Sequence, residues 1–265
     1  MPRAKTVFVI VCVVAIIAAA GALLWPRWSA QTSAPSATAA GLSLYGYTED
    51  SLLTWHVTAE SGTLVDDGGT LYGIELAFSE DTSDSTVVRA DELARTSDES
   101  VLTGNIQVKR EDGLYLTTSR ITWNEGDETL VASQTDLHYD DIHASGRRFA
   151  YDLAAGDATL AEQVFVMADG EDGWQLTSEM LRVTEQVLMA TGGVEVETED
   201  AERYICDRLE YDMETKEISM TGGVDLAFSS GHITAENVSV TADGFTATSG
   251  VTLRMDLVSE TGDNG

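Results

Sequence analysis

Proline is almost missing from this chain. Pro2, Pro26 and Pro35 are the three in 265 residues, and none follows residue 35. No residue lacking a backbone donor interrupts the chain beyond that point, so extended ladders are free to run. Cysteine is scarcer still: Cys12 and Cys206 lie in unrelated settings, which excludes a disulfide framework. Basic residues are few, 15 Lys and Arg against 45 Asp and Glu, giving a formal charge of −30. No acid precedes Glu49, while Arg3, Lys5 and Arg27 do, so the part after Ala30 carries 12 − 45 = −33. That balance excludes nucleic acid as a partner, since phosphates require clustered cations. Carboxylates at this density repel one another in dilute buffer and are relieved by screening. The thermal midpoint is therefore expected to rise between low and molar salt; a midpoint that does not move would assign the acidity another purpose.

Catalytic constellations are also lacking. The four histidines, His56, His138, His143 and His232, sit in no recognised motif. "DLHYDDIH" from Asp136 is the best metal candidate. Read as one strand, it sends His138 and His143 to opposite faces and leaves only His138 and Asp140 together, so no metal site is expected. "DGEDG" from Asp169 lacks the alternating acids and closing Glu of a calcium loop and reads as a turn. Cys206, in "RYICDRLEY", is expected to face away from Ile205 and Leu209, with no partner for nucleophilic chemistry nearby. The sequence predicts neither an enzyme nor a cofactor.

What is present begins at the N-terminus, where "TVFVIVCVVAIIAAAGALLW" runs from Thr6 to Trp25 without a charge. Twenty residues at about 1.5 Å each make about 30 Å, the thickness of a hydrocarbon core. Arg3 and Lys5 precede the run and Arg27 alone follows closely, which favours a cytoplasmic N-terminus and an exported remainder. The expected organisation is an anchor over residues 1–28, with Trp25 and Trp28 at the interface, and a small-residue tether over 29–41 that starts "SAQTSAPSATAA". A cleaved signal peptide ending at "WSA" before Gln31 is the alternative.

Beyond the tether the chain repeats itself. "TGGVEV" from Thr191 returns as "TGGVDL" at Thr221, and related segments start at Tyr72, Thr103, Ser133, Glu162 and Ser249, a period of about 30 that marks repeated supersecondary units. A second motif follows most of them, as in "GLYLTTSRITW" from Gly113 and "GHITAENVSV" from Gly231, so each unit reads as two short strands and two turns. Alternation supports strands: Tyr72, Ile74, Leu76 and Phe78 share one face, as do Val194 with Val196, Val224 with Leu226 and Phe228, and Val251 with Leu253, Met255 and Leu257. "DDGG" at Asp66 and the "EDG" triplets at Glu111 and Glu171 supply tight turns. The predicted fold is all-β: one elongated, open sheet of about 30-residue repeats over residues 42–258, solenoid-like, with an apolar inner face, followed by a disordered tail over 259–265.

This combination resembles the LptC family, the membrane-anchored periplasmic component of lipopolysaccharide export. The resemblance is carried by the apolar helix and tether, by "LYGYTEDSLLTWHVTAESGTLVDDGGTLYGIELAF" from Leu44, and by the stretch from Ser83 to Ala132. The pair "LTGNIQV" and "GLYLTTSRITW" is similar to the repeats of LptA-type bridge proteins, and residues 160–258 look like further units of that kind. The resemblance implies a β-jellyroll in the periplasm, anchored by a single pass in the inner membrane. Its interior would hold the acyl chains of lipopolysaccharide or a related glycolipid. It also implies an ABC transporter with LptF/LptG-like permeases as donor and an LptA-like bridge protein, joined head to tail by strand pairing, as acceptor.

The groove so implied is lined by Trp55, Tyr72, Ile74, Leu76, Phe78, Ile106, Val108, Val194, Val196, Val224, Leu226 and Phe228. Few cations are available to meet lipid phosphates; Lys109 with Arg110, Arg120, and Arg147 with Arg148 are the ones to name. Two rival readings stand beside the groove. One is a structural or adhesive solenoid with a filled core and no cargo, which apolar alternation fits equally well. The other is an enzyme, which would need a convergent polar cluster.

Overall fold

A computed structural model describes residues 37–255, apart from 48–52, 66–67, 80–84, 125–128, 153–154, 170–172, 242–243 and the single positions 97, 112 and 185. The expected anchor, most of the tether and the C-terminal tail lie outside these residues. Among the described residues there is no helix, and so none long and apolar enough to cross a membrane.

Everything regular is strand. The first half of the chain forms β1 (Ala37–Tyr47), β2 (Leu53–Val65), β3 (Gly68–Ser79), β4 (Ser85–Arg95), β5 (Glu99–Arg110), β6 (Tyr115–Asn124), β7 (Thr129–Tyr139) and β8 (Ile142–Asp152). The second half forms β9 (Asp157–Ala168), β10 (Trp174–Val183), β11 (Val187–Thr198), β12 (Arg203–Asp212), β13 (Ile218–Phe228), β14 (Gly231–Thr241), β15 (Gly244–Thr248) and β16 (Thr252–Met255). Each strand pairs with the next in one antiparallel sheet from β1 to β15, and β16 pairs with β14. The ladder is open: β1 is at one end, and β15 with β16 share the other. Residues 37–41, expected in the tether, belong to β1; Ala39 and Ala40 lie opposite Gly62 and Ser61 in β2, where small side chains suit an edge strand.

The expected short strands are in fact long, 10 residues in β6 and 13 in β2, because each is bent in its middle. In β6, Leu116 and Thr118 are buried and then Ile121 and Trp123; in β10, Leu176 and Ser178 and then Leu181 and Val183. A flat strand would send the two sets to opposite faces. In these strands a slip of one residue at the bend turns both halves inward, and in β5, β9, β11 and β13, where two residues turn the corner, the halves keep one parity. The strands from β2 to β14 so contribute to two facing walls around one core that runs from Val57 to Val238. Register shifts mark the bends, for example between Thr103 and Ile106 in β5 and between Thr221 and Val224 in β13.

The repeated motif is this bend. Gly104, Gly192 and Gly222 sit mid-strand at φ 94°, 83° and 83°, and Gln134, Glu162 and Gln163 hold the same place in β7 and β9 at φ 55°, 64° and 66°. "TGG" therefore does not open a unit; it turns a corner in the middle of one. At Gly222 a Cβ would fall 2.6 Å from the Cβ of Asp207 on β12, whereas at Gly223, φ 65°, it would meet nothing within 4 Å. Gly222→Val is expected to cost about 3 kcal/mol, from left-handed strain on a β-branched residue plus the displaced Asp207. Gly223→Ala should cost about 1 kcal/mol, from conformation alone. Denaturant titration of the two variants checks the difference; equal costs would mean the close approach at the corner carries no weight.

The ends of the bent strands fall in two rows, one to each wall, and the side between the rows, which no strand pairing of the described residues joins, is the open side. Asp169 N–H donates to Asp141 O at 2.8 Å and Glu199 N–H to Gly173 O at 3.0 Å, tying one row; Met213 N–H donates to Gln186 O at 2.8 Å in the other. These bonds run along the rows, and the strand ladder does not bridge them.

Candidate functional site

The core between the walls is the candidate site, and the bends decide what lines it. From the corners to the first row the wall is aliphatic: Ile74, Leu76, Val88, Ile106, Val108, Leu116, Leu137, Val166, Leu176, Val194, Val224, Leu226 and Ile233 are all buried there. Ile106, Val108 and Val194 are 0% exposed. From the corners to the second row, the wall carries the aromatic side chains Trp123, Phe149, Tyr151 and Tyr211, with Leu160 and Met220. Trp123 Nε1 and Tyr211 Oη are buried with no hydrogen-bond partner, as are Thr86 Oγ1 and Thr135 Oγ1 in the aliphatic wall.

Of the groove residues expected from sequence, Ile74, Leu76, Ile106, Val108, Val194, Val224 and Leu226 come together in the aliphatic wall. Val196 and Phe228 are half-buried and pack against the same core nearer the first row. Trp55 and Phe78 lie opposite each other in the β2–β3 register, and their side chains are outside the described residues. Tyr72 is a correction: it is 45% exposed, because the corner at Gly73 reverses the alternation and puts Leu71, not Tyr72, inside. The second wall was missed altogether. In the odd-numbered strands β5, β9, β11 and β13 its signal was present as alternation that keeps its parity across the corner, as in Met220 and Val224 on either side of "TGG". In even-numbered strands, as between Thr118 and Ile121, it could be read only with the parity reset at the bend.

Three further expectations are corrected. Cys206 is buried beside Leu209 and not turned away from it, since β12 bends between them. Burial pushes its thiol up to about 11, so it stays neutral and unreactive at ordinary pH. On the neighbouring Tyr204, burial and the hydrogen bond to Glu202 raise the phenol as well. His138 and His143 share one face, because the tight turn at Asp140 and Asp141 folds β8 back along β7 and pairs the two directly. At the other end of the ladder Val251, Leu253 and Met255, expected inside, are exposed: β15 and β16 split the edge of β14 and, among the described residues, no further strand covers them; Leu257 lies outside those residues.

Outside the core, the cations are surface groups. Arg120 Nε donates to Thr122 Oγ1 at 3.3 Å, Lys109 Nζ lies 5.2 Å from the Tyr115 ring centre, and Arg147 and Arg148 are exposed. A cavity of about 470 Å³ on the corners of β5 to β7 is lined by Asn105, Gln107, Thr117, Ser119 and Gln134 together with Gly104, Ile106 and Thr118, a mixed polar and apolar surface.

A family model described as "Lipopolysaccharide-assembly, LptC-related" matches residues 7–169, more than half of the chain. The ladder continues past that match through β10 to β16 without a break. A search of the curated proteins finds no match. Among solved structures the chain is similar to LptH from Pseudomonas aeruginosa, described as the LptA-homologous periplasmic component of the conserved lipopolysaccharide transport device. The identity is 10%, over 54% of this chain and 94% of that one, with a TM-score of 0.27. An open antiparallel sheet of bent strands around an apolar core, together with the match over residues 7–169, places the chain in the LptC-related family of non-catalytic periplasmic lipopolysaccharide-transport proteins.

Proposed function

We propose that this chain is a membrane-anchored lipid-transfer component. In this reading it accepts lipopolysaccharide or a similar glycolipid from an inner-membrane ABC transporter with LptF/LptG-like permeases, and passes the acyl chains between its two walls to an LptA-like bridge protein. The observation that carries the reading is the core itself, one apolar cluster continuous along the ladder and bordered by two rows of strand ends that no strand pairing joins among the described residues. Each CH₂ of an acyl chain exposed to water costs about 0.8 kcal/mol, so a continuous apolar path lowers the barrier at every step. The unpartnered Trp123 Nε1 and Tyr211 Oη add support, because a permanently filled core leaves such donors at a cost of about 1–3 kcal/mol each. In the closed arrangement there is no room at Ile106 or Val194, so loading requires the walls to part along the open side.

The complete burial of Ile106, Val108 and Val194 also favours a second reading, a structural solenoid with a filled core. Photocrosslinking in living cells separates the two. A photoreactive residue at Ile106, Val194 or Leu226 is expected to yield lipid adducts, and one at the outward Glu195, Glu197 or Asp225 none. Absence of adducts at all inward positions would leave the solenoid.

A further inference from the structure

We propose that Asp136, His138 and His143 form a site for a divalent transition-metal ion of the zinc class on the outer face of β7 and β8. The site lies on the side of the sheet away from the apolar core and is independent of the lipid-transfer reading. His138 and His143 are register partners across the hairpin, and their rings stack with centres 4.3 Å apart and 6° between planes. One carboxylate serves both. Asp136 Oδ1 is 2.8 Å from His138 Nε2, and Asp136 Oδ2 is 2.9 Å from His143 Nε2. The three ligand atoms lie within 4.8 Å of one another. Two imidazole nitrogens and a carboxylate oxygen are a donor set suited to zinc or copper(II), and harder ions such as magnesium prefer oxygen alone.

The fit needs a modest rearrangement, in which the stacked rings tilt so that both Nε2 lone pairs converge on one ion. Metal–ligand bonds of about 2.0–2.1 Å at tetrahedral angles put nitrogen and oxygen about 3.3 Å apart, so the side chains would separate by about half an ångström, with a fourth position left to water. Each Nε2 would present its lone pair in place of the proton it shares with Asp136, the ring proton moving to Nδ1. Aromatic rings flank the pair, Phe165 of β9 edge-on to His143 at 6.1 Å and Tyr115 of β6 at 6.5 Å from His138. The charged groups around them are Lys109 of β5, near the Tyr115 ring, and Asp140 and Asp141 in the turn.

The chain supplies its own control. In the unit formed by β13 and β14, Asp225 and His232 repeat the carboxylate–imidazole pair at the same spacing, with Asp225 Oδ1 2.5 Å from His232 Nε2. There the register partner of His232 is Ala227, and Arg203 stands opposite Ala227 where Tyr115 stands opposite His138. The second copy thus has two donors out of three and a cation at its side.

Calorimetric titration of the full-length protein with zinc chloride tests the site, with excess magnesium present to occupy the diffuse carboxylates. One zinc equivalent is expected for the wild type. His138→Ala and His143→Ala should each weaken it by more than about 100-fold, since even changes around a ligand cost about 10- to 100-fold. Ala227→His combined with Arg203→Tyr should add a second equivalent. Thermal melts report whether each variant folds, and the gain of a site does not depend on the loss variants doing so. A wild type without a saturable equivalent, undiminished binding in folded His138→Ala, or no second equivalent in the folded gain variant would each overturn the assignment.

Discussion

Val194→Asp should unfold the protein or lower its stability by several kcal/mol, and Val196→Asp, two residues along the same strand, should leave it folded. Val194 is 0% exposed, next to the corner of β11 and opposite Cys206. A carboxylate there would be buried without a cation beside it in the core, and burying an unpaired charge, or protonating it to avoid the charge, costs several kcal/mol either way. Val196 is half-buried and closer to the row of connections, so its carboxylate reaches water. If lipid moves between the walls, Val196→Asp places a charge on its path, and transport should fail in a protein that still melts cooperatively. Circular dichroism of the purified variants and a cellular lipopolysaccharide-transport assay give the two readouts. A folded Val196→Asp protein that supports normal transport would remove this side of the wall from the route.

The contrast between these neighbours also shows what was legible in the sequence. Period-two alternation in "GVEVE" and "GVDLAF", the near absence of proline and a recurrence every 30 or so residues were enough for an open all-β array and for most of the aliphatic wall, because those are local signals. What could not be read was where the alternation resets. At Gly73 the reset exchanged Tyr72 for Leu71, and in β12 it brought Cys206 and Leu209 to one side. Both errors came from treating a bent strand as straight. The pairing of His138 with His143 was hidden for a different reason: five residues apart along the chain, they are neighbours only once a tight turn has folded one strand onto the other. The aromatic wall of Trp123, Phe149, Tyr151 and Tyr211 was lost because these residues follow the bends of β6, β8 and β12, where the alternation resets.

The second large effect is expected at the C-terminal end of the ladder. The N-terminal edge, β1, starts at Ala37, within the stretch expected as tether and with residues 29–36 between it and the expected anchor, so in the transfer reading it stands nearest the membrane and the donor. That leaves the edge formed by β15 and β16 for the bridge protein. Phe245 is 57%, Leu253 55% and Met255 61% exposed there, a concentration of large apolar side chains that an incoming strand and its wall would cover. Burying each of these side chains contributes about 1.5–3 kcal/mol, so Leu253→Asp combined with Met255→Asp should weaken docking by roughly 100- to 10,000-fold. The fold should persist, since neither side chain is part of the core and β15 still pairs with β14. Binding of a soluble LptA-like protein to the full-length chain, followed by crosslinking at Leu253, measures the effect directly. The same double substitution moved to the other end, Leu44→Asp with Tyr45→Asp, should leave that binding intact. If the two ends respond alike, or if the C-terminal change has no effect, the direction of transfer inferred from the order of the strands is wrong.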